Sequence, residues 1–158
     1  MWLKEHSGKK ESNMPVIRNL EMYFKPGFCW NLTSGNKLQA DMRFRIIDGG
    51  VHDVNAMKII GPLWLLGYLN TTLFSEIKYN FINSTIANQL EDIKSLPIKE
   101  PSPQEKDYIE SRVSALIRMK KEGLSSIKFG KGIRTIPEFE KEINDKVCEI
   151  YGLDLGLF

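Results

Sequence analysis

Three patterns predict an α+β chain: a small antiparallel or mixed sheet backed by a helix, then a two-helix C-terminal extension. The first is Leu38–Ile46, where Leu38, Ala40, Met42, Phe44 and Ile46 alternate with Gln39, Asp41, Arg43 and Arg45. A period of two puts the first set on one face of a strand and the second on the other. The second is the stripe Leu63, Leu66, Leu69, Leu73, Ile77 and Phe81, whose spacing marks one face of an α-helix. The third is a pair of capping boxes, Ser102-Pro103-Gln104-Glu105 and Thr135-Ile136-Pro137-Glu138, each opening an amphipathic run.

Taken in order, residues 1–14 are polar and expected to be disordered. Val16–Phe24 reads as an imperfectly alternating strand that ends at the turn Lys25-Pro26-Gly27. Phe28–Thr33 reads as a short strand with Phe28, Trp30 and Leu32 on one face, and Ser34-Gly35-Asn36-Lys37 as a hairpin turn leading into Leu38–Ile46. Asp48-Gly49-Gly50 is the next turn, and Val51–Ile60 a further extended segment. Gly61-Pro62 opens the Leu63–Phe81 helix, because proline lacks an amide proton that the first turn cannot use. A polar run, Asn83–Asn88, separates that helix from the stop at Leu96-Pro97-Ile98.

The first C-terminal helix carries Tyr108, Ile109, Val113, Leu116 and Ile117 on its apolar stripe. Lys120-Lys121 complement the negative end of its dipole, and Gly123 suits the left-handed position past it. Gly123–Arg134 reads as a basic, glycine-containing loop. The second helix aligns Phe139, Ile143, Val147 and Ile150 and closes at Gly152. The expected organisation is therefore one unit over 1–98 and a helical extension or docking segment over 99–158.

The bulk numbers exclude little. The 158 residues suffice for one real core, and 42% apolar with 27% charged residues is ordinary globular composition. Residues 1–58 hold nine Lys/Arg against six Asp/Glu, hence +3 of the overall +2; residues 59–98 contribute two against three, and 99–158 eleven against eleven. A mildly basic N-terminal part is compatible with a phosphate-facing surface. Cys29 and Cys148 with His6 and His52 match no metal-ligand spacing, so no metal is expected and the cysteines read as free thiols of a cytoplasmic chain. The N-terminus lacks the apolar core of a signal peptide, and the longest apolar run, Ile59–Leu69, is too short to cross a membrane. The Asn-x-Ser/Thr matches at Asn31, Asn70 and Asn83 are accordingly chance ones.

The string LLGYLNTTLFSEIKYNFINST, followed by Gln89, Asp92-Ile93 and Leu96-Pro97-Ile98, resembles a segment of a known family. The family is the adenine-specific DNA methyltransferases of type IIG restriction–modification and BREX phage-defence systems, and the segment closes their target-recognition domain. Asn83, Thr85, Gln89, Asp92, Ile93, Leu96, Pro97 and Ile98 match its pattern, with Ser84 in place of proline and Glu91 in place of glycine. Gly27, Trp30, Ser34 and Gly35 match the family's opening. Glu142, Ile143, Val147, Tyr151, Gly152 and Leu153 match its closing helix, with Asn144 inserted before Asp145. The likeness covers roughly residues 23–153. It implies sequence-specific recognition of double-stranded DNA, with S-adenosylmethionine bound by a methyltransferase domain or subunit outside this chain.

Several side chains suit that role, each with a plainer alternative. Arg43 and Arg45 share a strand face and can reach guanine or phosphate bidentately, or form a solvated face paired with Asp41. Thr33, Ser34, Asn36 and Lys37 put hydroxyl, amide and ammonium groups on a hairpin tip, with Lys25 and Asn31 nearby; an ordinary turn needs the same residues. Asn83, Thr85 and Gln89 can bond adenine or phosphate, or satisfy backbone groups of an irregular loop. Trp30 and Trp64 read as core, and Lys128, Lys131 and Arg134 as a solvated loop within reach of phosphates. No catalytic residue is expected: there is no Asn/Asp-Pro-Pro-Tyr/Phe motif for a flipped base, no phosphate-binding glycine loop and no nucleophile elbow. The rival reading is a non-catalytic interaction module that docks or dimerises through the two capped helices.

Overall fold

The computed structural model describes residues 20–33, 42–50 and 56–153. Strands β1 (Gly27–Asn31), β2 (Phe44–Ile47) and β3 (Ala56–Ile59) form a sheet of order β2-β1-β3, antiparallel at both pairings. Trp30 stands opposite Phe44 and Met57, and Phe28 opposite Ile46 and Ile59, so one face is wholly apolar and joins the core. The other face carries the row Arg45–Cys29–Lys58. The expected alternation of Met42, Phe44 and Ile46 holds; residues 34–41 and 51–55 lie outside the described residues. The strand expected over Val16–Phe24 is replaced, where it is described, by a 3₁₀ turn at Leu20–Met22. Phe24 then takes a positive φ of 58°, which extended pairing does not allow.

The helix expected over Leu63–Phe81 is interrupted. Helix α1 (Leu63–Leu69) stops at Asn70, α2 (Thr72–Ile77) restarts from Thr71 as N-cap, and Lys78–Ile82 form a π-helical turn. The apolar stripe runs through the break, so periodicity does not report it. The cause is Asn70, whose side chain turns to the sheet: Oδ1 accepts from Phe44 N at 3.0 Å and Nδ2 donates to Phe44 O at 3.0 Å. Short polar side chains that bond backbone elsewhere are poor helix-interior residues. The π-turn rotates Phe81 out of the stripe and leaves it 83% exposed. A short helix α3 (Leu90–Lys94) follows the polar loop.

Both C-terminal helices form where their capping boxes predict. In α4 (Pro103–Glu122) Ser102 N donates to Glu105 Oε2 at 2.7 Å, and Gly123 ends the helix with φ 66°. In α5 (Ile136–Ile150) Thr135 N donates to Glu138 Oε2 at 2.7 Å. Between them the stretch expected to be a loop is a hairpin, β4 (Ser126–Phe129) with β5 (Gly132–Thr135), turning at Gly130-Lys131. Ile127 and Phe129 alternate there, and Phe129 packs edge-on against the buried Phe139 at 4.9 Å. Glu142 anchors the hairpin by accepting from Arg134 Nε at 2.7 Å and Arg112 Nε at 2.8 Å.

The main core of the described residues joins the sheet to both C-terminal helices, and a second cluster, Ala115, Met119 and Phe139, lies beside the hairpin. Ile109 and Val113 of α4 and Ile143 and Val147 of α5 share a cluster with Phe28, Trp30, Leu66 and Phe74. Helices α1 and α4 approach closely at Gly67, where an added Cβ would lie 2.7 Å from Ile109 Cγ2 and 3.1 Å from Val113 Cγ2. Most of the apolar stripes of α4 and α5 is thus spent inside this chain, with Leu116 and Ile117 only half-buried. Beside Gly67, Tyr68 lies wholly buried among Trp64, Phe74 and Tyr151. Burial, then the Tyr151 and Glu105 charges, push its hydroxyl well above the usual tyrosine range. Both cysteines are free and buried, and none of the helices among the described residues is long and apolar enough to cross a membrane.

Candidate nucleic-acid interface

The described candidate residues fall into two places. Asn31, Thr33, Asn83, Thr85 and Gln89 meet where β1 ends. Asn88 N donates to Leu32 O at 2.7 Å, Trp30 Nε1 donates to Asn88 O at 2.8 Å, and Thr33 bridges to Ala87. The buried Trp30 thus holds loop 83–89 against the strand end. Inside the loop, Asn83 Oδ1 accepts from Thr85 N (2.9 Å) and Thr85 Oγ1 (2.7 Å), while Asn83 Nδ2 donates to Asp92 Oδ2 at 2.9 Å. The ammonium of Lys78, a residue only 1% exposed, donates to Thr85 O at 2.6 Å. Burial lowers its pKa, partly opposed by the Asp92 charge. Asn83 and Thr85 therefore spend polar atoms on the loop itself; Asn31, Thr33, Thr85 and Gln89 are exposed, and Gln89 forms a capping box with Asp92 at the start of α3.

Arg43 and Arg45 occupy the second place. Both are exposed and border a groove of about 730 Å³ between the outer edge of β2 and helices α1, α4 and α5. Leu66, Leu116 and Ile117 contribute to its apolar floor, and Lys120, Lys121, Asp48 and Glu140 join the two arginines around it. Lys121 Nζ lies 3.4 Å from Asp48 Oδ2, linking the end of α4 to the turn after β2. The groove exists because Asn70, Ser75 and the core hold β2 to α1 and α2, with Met42 N donating to Ser75 Oγ at 3.3 Å. Lys25 is exposed in the turn before β1, its carbonyl accepting the Lys58 ammonium. Ser34, Asn36 and Lys37 lie outside the described residues.

On the sequence alone, Lys120 and Lys121 answer only to the helix dipole and Asp48 only to a turn. Their one signal was a basic doublet in a last helical turn, and no periodicity reports that α4 lies beside β2. Of the three basic side chains between the C-terminal helices, Arg134 is taken by Glu142 while Lys128 and Lys131 are exposed. Among the described residues no three His, Cys, Asp or Glu side chains gather as a metal site.

No protein-family model and no curated protein matches the chain. Among solved structures it resembles a Type IIL restriction-modification enzyme, MmeI, determined in complex with DNA, with a TM-score of 0.59 at 12% identity. The match covers 82% of this chain and 19% of that enzyme, so the chain spans about a fifth of its length. At that identity the likeness concerns the fold: this chain has the architecture of one part of a restriction–modification enzyme.

Proposed function

We propose that the chain is the DNA-recognition part of an adenine-N6 methyltransferase of a restriction–modification or phage-defence system, with no catalysis of its own. The observation that carries this reading is the exposure of Arg45 on β2 and of Arg43 immediately before that strand, both at the rim of a groove. Guanidinium groups on a strand anchored by backbone bonds offer preset donors to guanine O6 and N7 or to phosphate. The fold shared with a DNA-bound restriction–modification enzyme supports the reading at the level of architecture. Lys25, Asn31, Thr33 and Gln89 extend the contact surface, while Asn83 and Thr85 shape the loop that presents it. S-adenosylmethionine and methyl transfer belong to a catalytic domain or subunit, which residues 99–158 help attach.

The test is selection of labelled duplexes from a random-sequence pool, repeated with Arg43→Ala and Arg45→Ala. One short motif should be enriched, and a base-reading arginine should lose about 1–3 kcal/mol at one position of that motif. Equal weakening on every sequence would assign the arginine to phosphate. Absence of binding to any duplex at low salt would refute the reading.

A further inference from the structure

The groove holds a feature that a simple basic cleft lacks. Asp48 sits at the end of β2 and reaches across to Lys121 at the end of α4, an ion pair in which both side chains are well exposed. Gly49 and Gly50 follow at once with φ of 148° and 142°, values that a side chain would resist. Around the groove Arg43, Arg45, Lys120 and Lys121 stand against Asp48 and Glu140, a formal four positive against two negative charges. Leu116 and Ile117 form an apolar strip of the floor between them. Charged groups flanking an apolar strip match a nucleic-acid backbone, which alternates phosphates with deoxyribose carbons.

We propose that Asp48 is a built-in competitor for the DNA backbone. In the free chain its carboxylate occupies Lys121, and on binding a phosphate of one strand displaces it. This rests on the DNA-recognition reading and extends it: the end of α4 becomes part of the DNA-contacting surface. Exchange is feasible because an exposed ion pair contributes little net stability, and each phosphate neutralised on duplex DNA releases condensed counterions. Lys121 is then a phosphate-positioning residue, independent of base sequence.

The experiment measures affinity for one duplex across a salt series. The proteins are the wild-type chain, Asp48→Asn, Lys121→Ala, the double variant, and Glu149→Gln as a distant control with the same charge change, each checked by thermal melting. Asp48→Asn should bind about threefold or more tighter at ~0.1 M salt, and Lys121→Ala should bind weaker with a log–log salt slope shallower by about one. In the Lys121→Ala background Asp48→Asn should add little, because its partner is gone. An equal gain from Glu149→Gln, or an undiminished gain in the double variant, would reduce Asp48 to general charge and overturn the proposal. An unchanged Lys121→Ala slope would do the same while leaving DNA recognition intact. A wild-type chain that binds no duplex would overturn both.

Discussion

Replacing Asn70 by alanine tests whether one side-chain amide joins the sheet to the helices. Asn70 Oδ1 accepts from Phe44 N, and Nδ2 donates to Phe44 O and to Leu66 O, each at 3.0 Å. It behaves as a substitute peptide group on the outer edge of β2. Three neutral hydrogen bonds at about 1 kcal/mol each suggest a loss of about 3 kcal/mol. Water entering the groove can re-satisfy Phe44 in part, so the expected value is about 2–3 kcal/mol. At about 2–4 °C per kcal/mol for a chain of this size, the melting midpoint should fall by roughly 4–12 °C. Urea titration with an unchanged m-value would assign the effect to the native state. Asn70→Asp keeps only the acceptor and sets a carboxylate against the Phe44 and Leu66 carbonyls, so at neutral pH it should be no more stable than the alanine variant. A loss under ~0.5 kcal/mol for Asn70→Ala, within the range of ordinary surface changes, would refute the argument.

Two further perturbations probe the packing and the caps. Gly67→Ala gains about 1 kcal/mol of helix propensity but drives a Cβ to 2.7 Å from Ile109 Cγ2, and overpacking of about 1–3 kcal/mol should leave it less stable than wild type by urea titration. A stabilised Gly67→Ala chain would show that α1 and α4 are not in close contact. Glu105, held chiefly by the Ser102 side chain and then its backbone, and Glu138, held chiefly by the Thr135 backbone, have pKa values below the ordinary 4.5. Lowered folded-state values mean that their stabilisation is present above pH 4.5 and is lost as the pH falls through them. Glu105→Gln with Glu138→Gln should therefore flatten the acid limb of the melting-temperature profile, and an acid limb as steep as that of wild type would count against both caps.

What was legible in the sequence was what local chemistry decides. Ser102 and Thr135 start helices because their partners three residues on are glutamates, and Gly123 ends one because left-handed backbone suits glycine. The alternation of Met42, Phe44 and Ile46 named the buried face of β2. The break at Asn70 was hidden because Leu69 and Leu73 keep helical spacing across it, while its cause, Phe44, lies 26 residues away. The hairpin at Ser126–Thr135 was obscured because glycine signals both a loop and a tight turn. The groove was invisible for a broader reason. Periodicity says which face of an element is buried but not which other element it meets, so nothing in Lys120-Lys121 pointed to Arg43 and Arg45.

Tyr151 adds a consequence for where this chain tolerates extra length. Its hydroxyl donates to Pro97 O at 2.6 Å and accepts from Lys99 N at 2.7 Å, while Lys99 Nζ reaches Ile150 O at 2.8 Å. These bonds clasp Pro97–Tyr151 into a ring whose two ends are fixed to each other. Enlarging a closed ring is inexpensive, since each doubling of a flexible loop adds only about 0.6 kcal/mol of closure entropy. Residues inserted at the exposed Gly130-Lys131 tip enlarge the ring without opening it. A single residue inserted between Pro97 and Lys99 shifts the acceptor and the donor that Tyr151 joins, and the ring loses its clasp.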